Sequence, residues 1–307
     1  MGFDAFNWSK NKISLLVDKI SLIKNDNLVL APGEIWSLKK SLALDYYIEG
    51  SVNLFKKYFN NWYYVDTHCG SGLIGFSDGI LKGERFPGSP LIAALRALDS
   101  EFTEYLFFDN DSNAIDALQT RLNSLRPQIG IHNFQIRKSE FADSISAIEH
   151  KKKFGDAFLV FIDPVGFIEI RWMLMERLLK VEKADIFFTF MTHALARHRT
   201  NASPGSKYAE SLDDFYGDSS WNQKSNGDEL LQLYIDKIKH HRKYVLTIPV
   251  FQTGERKLYD IIIATDSKGA NNIVADATEV MRVTDTEVIK SALAVATNKM
   301  DNITKWM

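Results

Sequence analysis

At 307 residues, with 45% hydrophobic and 12% aromatic content, the chain can build a packed core in one large α/β domain with additions or in two domains, and wholesale disorder is excluded. Its 37 basic and 39 acidic residues leave a formal charge of −2, which excludes a strongly basic nucleic-acid footprint over the whole chain but leaves room for a local patch. The single cysteine, Cys69, excludes an internal disulfide framework and a cysteine-rich zinc site.

No apolar run approaches the ~20 residues of a membrane span. The opening MGFDAFNWSK lacks the apolar core of a signal peptide, so a cytoplasmic protein with no membrane partner is expected. Residues 1–35 carry a short amphipathic pattern (Ile13, Leu16, Val17, Ile20, Leu22) that ends near Ala31-Pro32-Gly33. From Trp36 to about Phe59, Leu38, Leu42, Leu44, Tyr47, Val52, Phe55 and Tyr58 recur at helical spacing, with Lys39, Lys40, Lys56 and Lys57 as exposed basic positions. Residues 1–60 therefore read as a helical N-terminal appendage. WYYVD (62–66) is a short apolar run stopped by an acid and glycines, as in a buried parallel strand.

Strands and helices then alternate. PLIAALRAL (90–98) predicts a helix, EYLFFDND (104–111) a strand ending in acids, and SNAIDALQTRLNSL (112–125) a helix capped by Asp111 or Ser112. HNFQIRKSEF (132–141) suits a strand and the stretch through Ala147 and Ile148 a helix. AFLVFIDPVGF (157–167) is the most hydrophobic strand, stopping at Asp163-Pro164. A helix around 170–181 and the strand ADIFFTFM (184–191) follow. Such alternation implies a parallel sheet covered on both faces. Residues 197–228 read as a polar, irregular insertion. After a helix over 229–240, KYVLTIPVF (243–251) and KLYDIIIAT (257–265) flank the short turn QTGER, and so few linking residues make the pair antiparallel. The predicted fold is α/β, a Rossmann-like class I methyltransferase sheet of parallel strands closed by an antiparallel hairpin. Residues 61–267 form this domain and 268–307 a C-terminal helical segment.

YYVDTHCGSGLIGF (63–76) holds two fingerprints. Gly70, Gly72 and Gly75 spell the dinucleotide pattern G-x-G-x-x-G. Read from Asp66, the same letters spell D-x-x-x-G-x-G, the opening of an S-adenosylmethionine (SAM) site. Dinucleotide binding needs an acid ~20 residues on, at the end of the second strand. The acid at that spacing, Glu84, falls in the loop KGERFPGSP, whereas Asp109 ends the second strand. Asp66 has a role only in the SAM pattern, where it organises the loop and faces the amino-acid part of the cofactor. The balance favours SAM over NAD.

On that reading Gly70 and Gly72 let backbone approach the ligand, while Gly75 serves helix–sheet packing. Cys69 is a small packing residue sooner than a nucleophile. His68 shapes the methionine pocket or caps the turn. Asp109 suits the two ribose hydroxyls, since a carboxylate can accept both hydrogen bonds. Glu140, beyond the third strand, either contacts the adenine amino group or lies in a solvated loop. Asp163, Pro164, Gly166 and Phe167 follow the fourth strand at the carboxyl edge, where ligands of open α/β sheets bind. There a carboxylate or carbonyl can accept a hydrogen bond from an acceptor amine, and Phe167 can stack on a base. His193, Arg197, His198 and Arg199 follow the fifth strand and either meet phosphates or form a solvated loop. No metal-ligand spacing appears.

Asp66-Thr67-His68-Cys69-Gly70-Ser71-Gly72 is similar to the D-P-F-C-G-S-G opening of amino-group methyltransferases of DNA and RNA, and Asp163-Pro164 resembles the start of their D-P-P-Y/F motif. Val165-Gly166 replaces the second proline, and D-P-V-G looks closer to the D-P-F-G of tRNA guanine methyltransferases. A wider resemblance, from about Trp36 to Ser267, is to the three-Cys-motif partner family of methyltransferase-like proteins. It takes in the Leu-Lys-Lys helix, Asp66 with Gly70 and Gly72, Gly88-Ser89-Pro90, Phe161 to Gly166, Phe215-Tyr216-Gly217 with Trp221, and Leu258-Tyr259. That family usually has Phe-Ala where His68-Cys69 stand. The resemblance implies a partner protein bearing a three-cysteine motif. The expectation is a SAM-dependent methyltransferase acting on a nucleic acid or nucleotide-like amine. The alternatives are a non-catalytic SAM- or nucleotide-binding partner subunit and, less favoured, an NAD-dependent enzyme.

Overall fold

The computed structural model describes residues 2–252 and 256–294. In chain order its elements are α1 (Ala5–Lys19), β1 (Ala31–Gly33), α2 (Ile35–Tyr58), β2 (Asn61–Asp66), β3 (Leu73–Phe76), β4 (Arg85–Pro87), α3 (Ser89–Leu95), α4 (Ala97–Ser100), β5 (Glu104–Asp109), α5 (Ser112–Ile129), β6 (Phe134–Lys138) and α6 (Phe141–Lys151). Then come β7 (Asp156–Ile162), α7 (Trp172–Leu179), β8 (Ala184–Phe190), α8 (Thr192–Asn201), α9 (Lys207–Tyr216), α10 (Gly227–Lys239), β9 (Tyr244–Phe251), β10 (Lys257–Thr265) and α11 (Ala270–Val283). Residues 286–294 are helical as well.

Seven strands form the main sheet in the order β6-β5-β2-β7-β8-β10-β9. The pairs from β6 to β8 are parallel, while β10 runs antiparallel to both β8 and β9. This is the Rossmann-like class I methyltransferase sheet expected from the sequence, with its closing antiparallel hairpin. Residues 253–255 of the hairpin turn and 295–307 of the expected C-terminal helical segment lie outside the described residues.

The centre of the sheet explains its own burial. All seven residues of β7 are buried. Ala157, Leu159 and Phe161 join the core under α1, α2, α3, α5 and α11; Phe158, Val160 and Ile162 join the core under α6, α7, α9 and α10. A strand covered on both faces has no polar side, hence the unbroken apolar run. Each large side chain so buried contributes about 1.5–3 kcal/mol of transfer free energy.

Two expected regions are corrected. Residues 1–60 are not a helical appendage: α2 buries Leu42, Tyr47, Ile48 and Val52 in the sheet's own core, and β1 pairs with β3 in a small second sheet of order β1-β3-β4. Residues 197–228 are not irregular. They carry the end of α8, then α9 and a 3-10 turn at Ser219–Gln223, capped by the side chains of Ser206 and Asp218. Leu212, Phe215, Tyr216 and Trp221 recur among the polar residues and are buried, which gives the segment its reason to fold. Among the described residues no helix is long and apolar enough to cross a membrane, and no group of three or more His, Cys, Asp or Glu could hold a metal ion.

Candidate functional site

The order of the strands reverses at β2, whose continuation goes to β5 and β6 on one side and whose other neighbours are β7 and β8. Open α/β sheets bind ligands at the carboxyl ends of the strands beside such a reversal. A cleft of about 450 Å³ lies there, within the roughly 300–1,000 Å³ usual for small-molecule sites. Its walls are the loop 67–72, Asp109-Asn110, Ser139 and Phe141, Asp163-Pro164-Val165 with Glu169, and one side of α2 with Trp36, Ser37, Lys40, Ser41 and Leu44.

Local hydrogen bonds hold the glycine loop. Asp66, wholly buried, accepts from the His68 backbone N–H at 3.3 Å and from the Tyr64 hydroxyl at 3.4 Å. Burial pushes its carboxyl up to about 7. The Cys69 N–H donates to the Phe108 carbonyl at 2.9 Å. Asp109 accepts from the Gly70 N–H through Oδ2 at 2.8 Å and from the Asp111 N–H through Oδ1 at 2.9 Å. Arg121, buried on α5, donates to the Ser71 carbonyl at 2.6 Å and pairs with Asp26. Gly70 and Gly72 have φ of 59° and 88°, in the region that favours glycine.

Six of the ten predicted site residues line the cleft: His68, Gly70, Gly72, Asp109, Asp163 and Pro164. Four do not. Asp66 lies beneath the loop with no exposed surface. Glu140 is exposed at the start of α6, where its backbone N–H donates to Asp143, and its neighbours Ser139 and Phe141 face the cleft instead. Gly166 stands outside the wall, and the exposed Val165 takes the place at the rim. Phe167 is turned inward, edge-on to Phe215 and His198, because the core below the loop has room for its ring. Base stacking by Phe167 is therefore corrected to a packing role.

The basic group after β8 is largely structural. His198 packs between Phe167 and Tyr208, and Arg199 donates to the carbonyls of Lys224 and Asn222. Arg197 remains exposed. Cys69 is buried, and burial pushes its thiol well up, away from a nucleophile's range.

Two charge pairs cross the cleft. Lys40 Nζ lies 2.5 Å from both Asp163 oxygens and 5.4 Å from the centre of the Tyr259 ring. His68 Nε2 lies 3.2 Å from Glu169 Oε1, and the His68 ring stacks on Phe141 at 5.7 Å. Its proximity holds the Glu169 carboxyl below the usual range. The Ser139 hydroxyl is buried with no hydrogen-bond partner beside the cleft.

Sequence reasoning missed Lys40, Ser139, Glu169, Tyr259 and Arg121. Lys40 has the spacing of an exposed helix position, yet the cleft, not solvent, meets that side of α2. Glu169 follows the D-P-V-G turn by three residues, a signal that needed His68 as its partner to be readable.

No protein-family model matches the chain, and no curated protein sequence matches it. Among solved structures, protein LPL1258 of Legionella pneumophila strain Philadelphia 1 is 10% identical over 78% of this chain and 91% of its own, with a TM-score of 0.50, a likeness of fold. An O-methyltransferase of Bacillus cereus in complex with SAH is 13% identical over 86% of this chain and 92% of its own, with a TM-score of 0.44. Trm1 of Pyrococcus horikoshii with S-adenosyl-L-methionine is 12% identical over 75% and 57%, with a TM-score of 0.39. No site residue is carried over from any of them.

Proposed function

We propose that the chain is a SAM-dependent methyltransferase whose acceptor is a nucleic acid or a nucleotide-like molecule. The observation that carries this is the position of Asp109. It ends the strand beside β2, fastens Gly70 of the D-x-x-x-G-x-G loop, and faces the same cleft as Asp163 and Pro164. Two of its carboxylate lone pairs are engaged by N–H groups, and the others remain for ribose hydroxyls.

The neighbouring groups fit the rest of such a cofactor. The partnerless Ser139 hydroxyl and the Phe141 ring, two residues apart, suit the polar edge and the flat face of an adenine. A Cβ at Gly70 would meet nothing within 4 Å, so the loop backbone is open to a close ligand. The antiparallel β10 argues against a dinucleotide fold with a parallel sixth strand. SAM supplies an activated methyl group, so the chain's own contribution is to hold the donor and the acceptor in line.

The expected amine acceptor rests on Asp163 accepting its hydrogen bond. Both oxygens of that carboxylate already face Lys40, which leaves the backbone carbonyls at Asp163 and Pro164 for the task. The same pair favours a second reading, a SAM- or nucleotide-binding subunit that serves a three-cysteine-motif partner without catalysis.

Calorimetry with SAM and NADH, followed by methyl transfer from labelled SAM to mixed tRNA and DNA, tests the proposal. Tight NADH binding without SAM binding would end it. SAM binding with no transfer, alone or with the partner protein, would favour the binding subunit.

A further inference from the structure

His68 stands where the resembling family usually has phenylalanine, and its ring nitrogens are differently engaged. Nδ1 lies 2.8 Å from Thr67 Oγ1, and that hydroxyl lies 3.2 Å from the Phe161 carbonyl, which can only accept. A hydroxyl has one proton. Directed to the carbonyl, it leaves an oxygen lone pair for a proton on Nδ1, and the Nδ1–H tautomer is the one that satisfies both contacts. Nε2 is then the nitrogen that exchanges a proton. It is buried, has no aligned hydrogen-bond partner, and lies 3.2 Å from Glu169 Oε1, so a proton gained there would meet a carboxylate. Phe141 stacks on the ring at an interplanar angle of 23° and fixes its plane. The other charged groups around it are Asp66 beneath the loop, Asp109 at the end of β5, and Asp163 paired with Lys40.

We propose that His68 takes the proton from the acceptor, with Glu169 as its counter-charge, and that the acceptor group is a hydroxyl. The inference rests on the methyltransferase reading and deepens it. An amine attacks through a lone pair it already has, and its usual need is a carboxylate to orient it. In this cleft that carboxylate is engaged by Lys40. A hydroxyl must lose its proton as it attacks, and an imidazole backed by a carboxylate is the group that removes it. The step balances. An oxygen lone pair forms the O–C bond to the sulfonium methyl, and the C–S bond breaks with its electron pair left on sulfur as a neutral thioether. The hydroxyl proton passes to Nε2, and the positive charge moves from sulfur to the imidazolium beside Glu169.

The test has two arms. In the first, imidazole nitrogen NMR of the protein alone reads the tautomer and titration of His68. The Nδ1–H form is expected, with its midpoint moved to lower pH in Glu169→Gln. A neutral Nε2–H form overturns the inference. In the second, labelled SAM is offered with bulk RNA and with a catechol, and the product is assigned as O- or N-methyl. Transfer to oxygen is expected, with His68→Gln leaving SAM affinity unchanged by calorimetry while lowering transfer roughly 100- to 10,000-fold. Parallel loss of SAM binding and transfer would make His68 a cofactor ligand and overturn the inference. An N-methyl product would overturn it alone. SAM bound with nothing methylated would overturn the methyltransferase reading and the inference together.

Discussion

Lys40 Nζ, on α2, lies 2.5 Å from each carboxylate oxygen of Asp163 at the end of β7, across 123 positions of sequence. The pair joins the helix in front of the sheet to the wall of the cleft, and its side chains are only 15% and 26% exposed. Removing one partner from a pair between fully buried and fully solvated costs roughly 1–3 kcal/mol. Lys40→Met should lower the urea midpoint accordingly, and the double variant with Asp163→Asn should recover part of the loss. Strictly additive effects in that cycle would mean the pair contributes nothing to stability.

The sheet was readable because its signals are local and redundant. β7 and β8 are unbroken apolar runs, and the β9–β10 turn is too short for a parallel return. Asp109 was readable from its place at a strand end. Lys40 and Glu169 were not, because each acquires its meaning from a partner far away in sequence or in another loop. Phe167 failed for the opposite reason: an aromatic after a strand-ending turn reads alike whether it faces a ligand or a core. Asp66 was correctly seen as organising its loop, but nothing in the letters says that a carboxylate is wholly buried.

Asp109 offers a direct check on cofactor binding. Asp109→Asn must present an amide donor to either the Gly70 or the Asp111 N–H, which breaks one charge-assisted hydrogen bond. Such a bond contributes about 1.5–3 kcal/mol, or roughly a 10- to 100-fold change in affinity. SAM binding by calorimetry should weaken by at least that factor. Unchanged affinity would remove Asp109 from the site.

Asp66 predicts a pH dependence of stability. Burial raises its carboxyl from the usual 3.8 to about 7, so between those values the folded protein holds a proton that the unfolded chain has released. Stability therefore falls as pH rises through that window. Asp185, buried and raised to about 6, acts in the same direction. Asp66→Asn should abolish its own share, so urea titrations from pH 4 to 7 should show the wild type's advantage over the variant shrinking as pH rises. A constant gap would mean that Asp66 ionises in the folded protein as it does in the unfolded chain.

Gly70 and Gly72 should respond differently to the same substitution, although both belong to one loop and both have positive φ. A left-handed backbone costs an L residue about 1–2 kcal/mol, and this strain is common to Gly70→Ala and Gly72→Ala. At Gly72 the new Cβ would lie 2.9 Å from Leu118 Cδ1 and 3.2 Å from Leu91 Cγ, in the packed core behind the loop. Forced overpacking of that kind adds roughly 1–3 kcal/mol. At Gly70 the Cβ would meet nothing within 4 Å, beside a backbone N–H held by Asp109 on the cleft wall. Gly72→Ala should therefore lose the more stability in urea titration. Gly70→Ala should stay closer to wild type in stability and lose more of its SAM affinity in calorimetry. Equal losses in both measurements would mean that the loop acts only as a structural turn, and that ligand and glycine do not meet there.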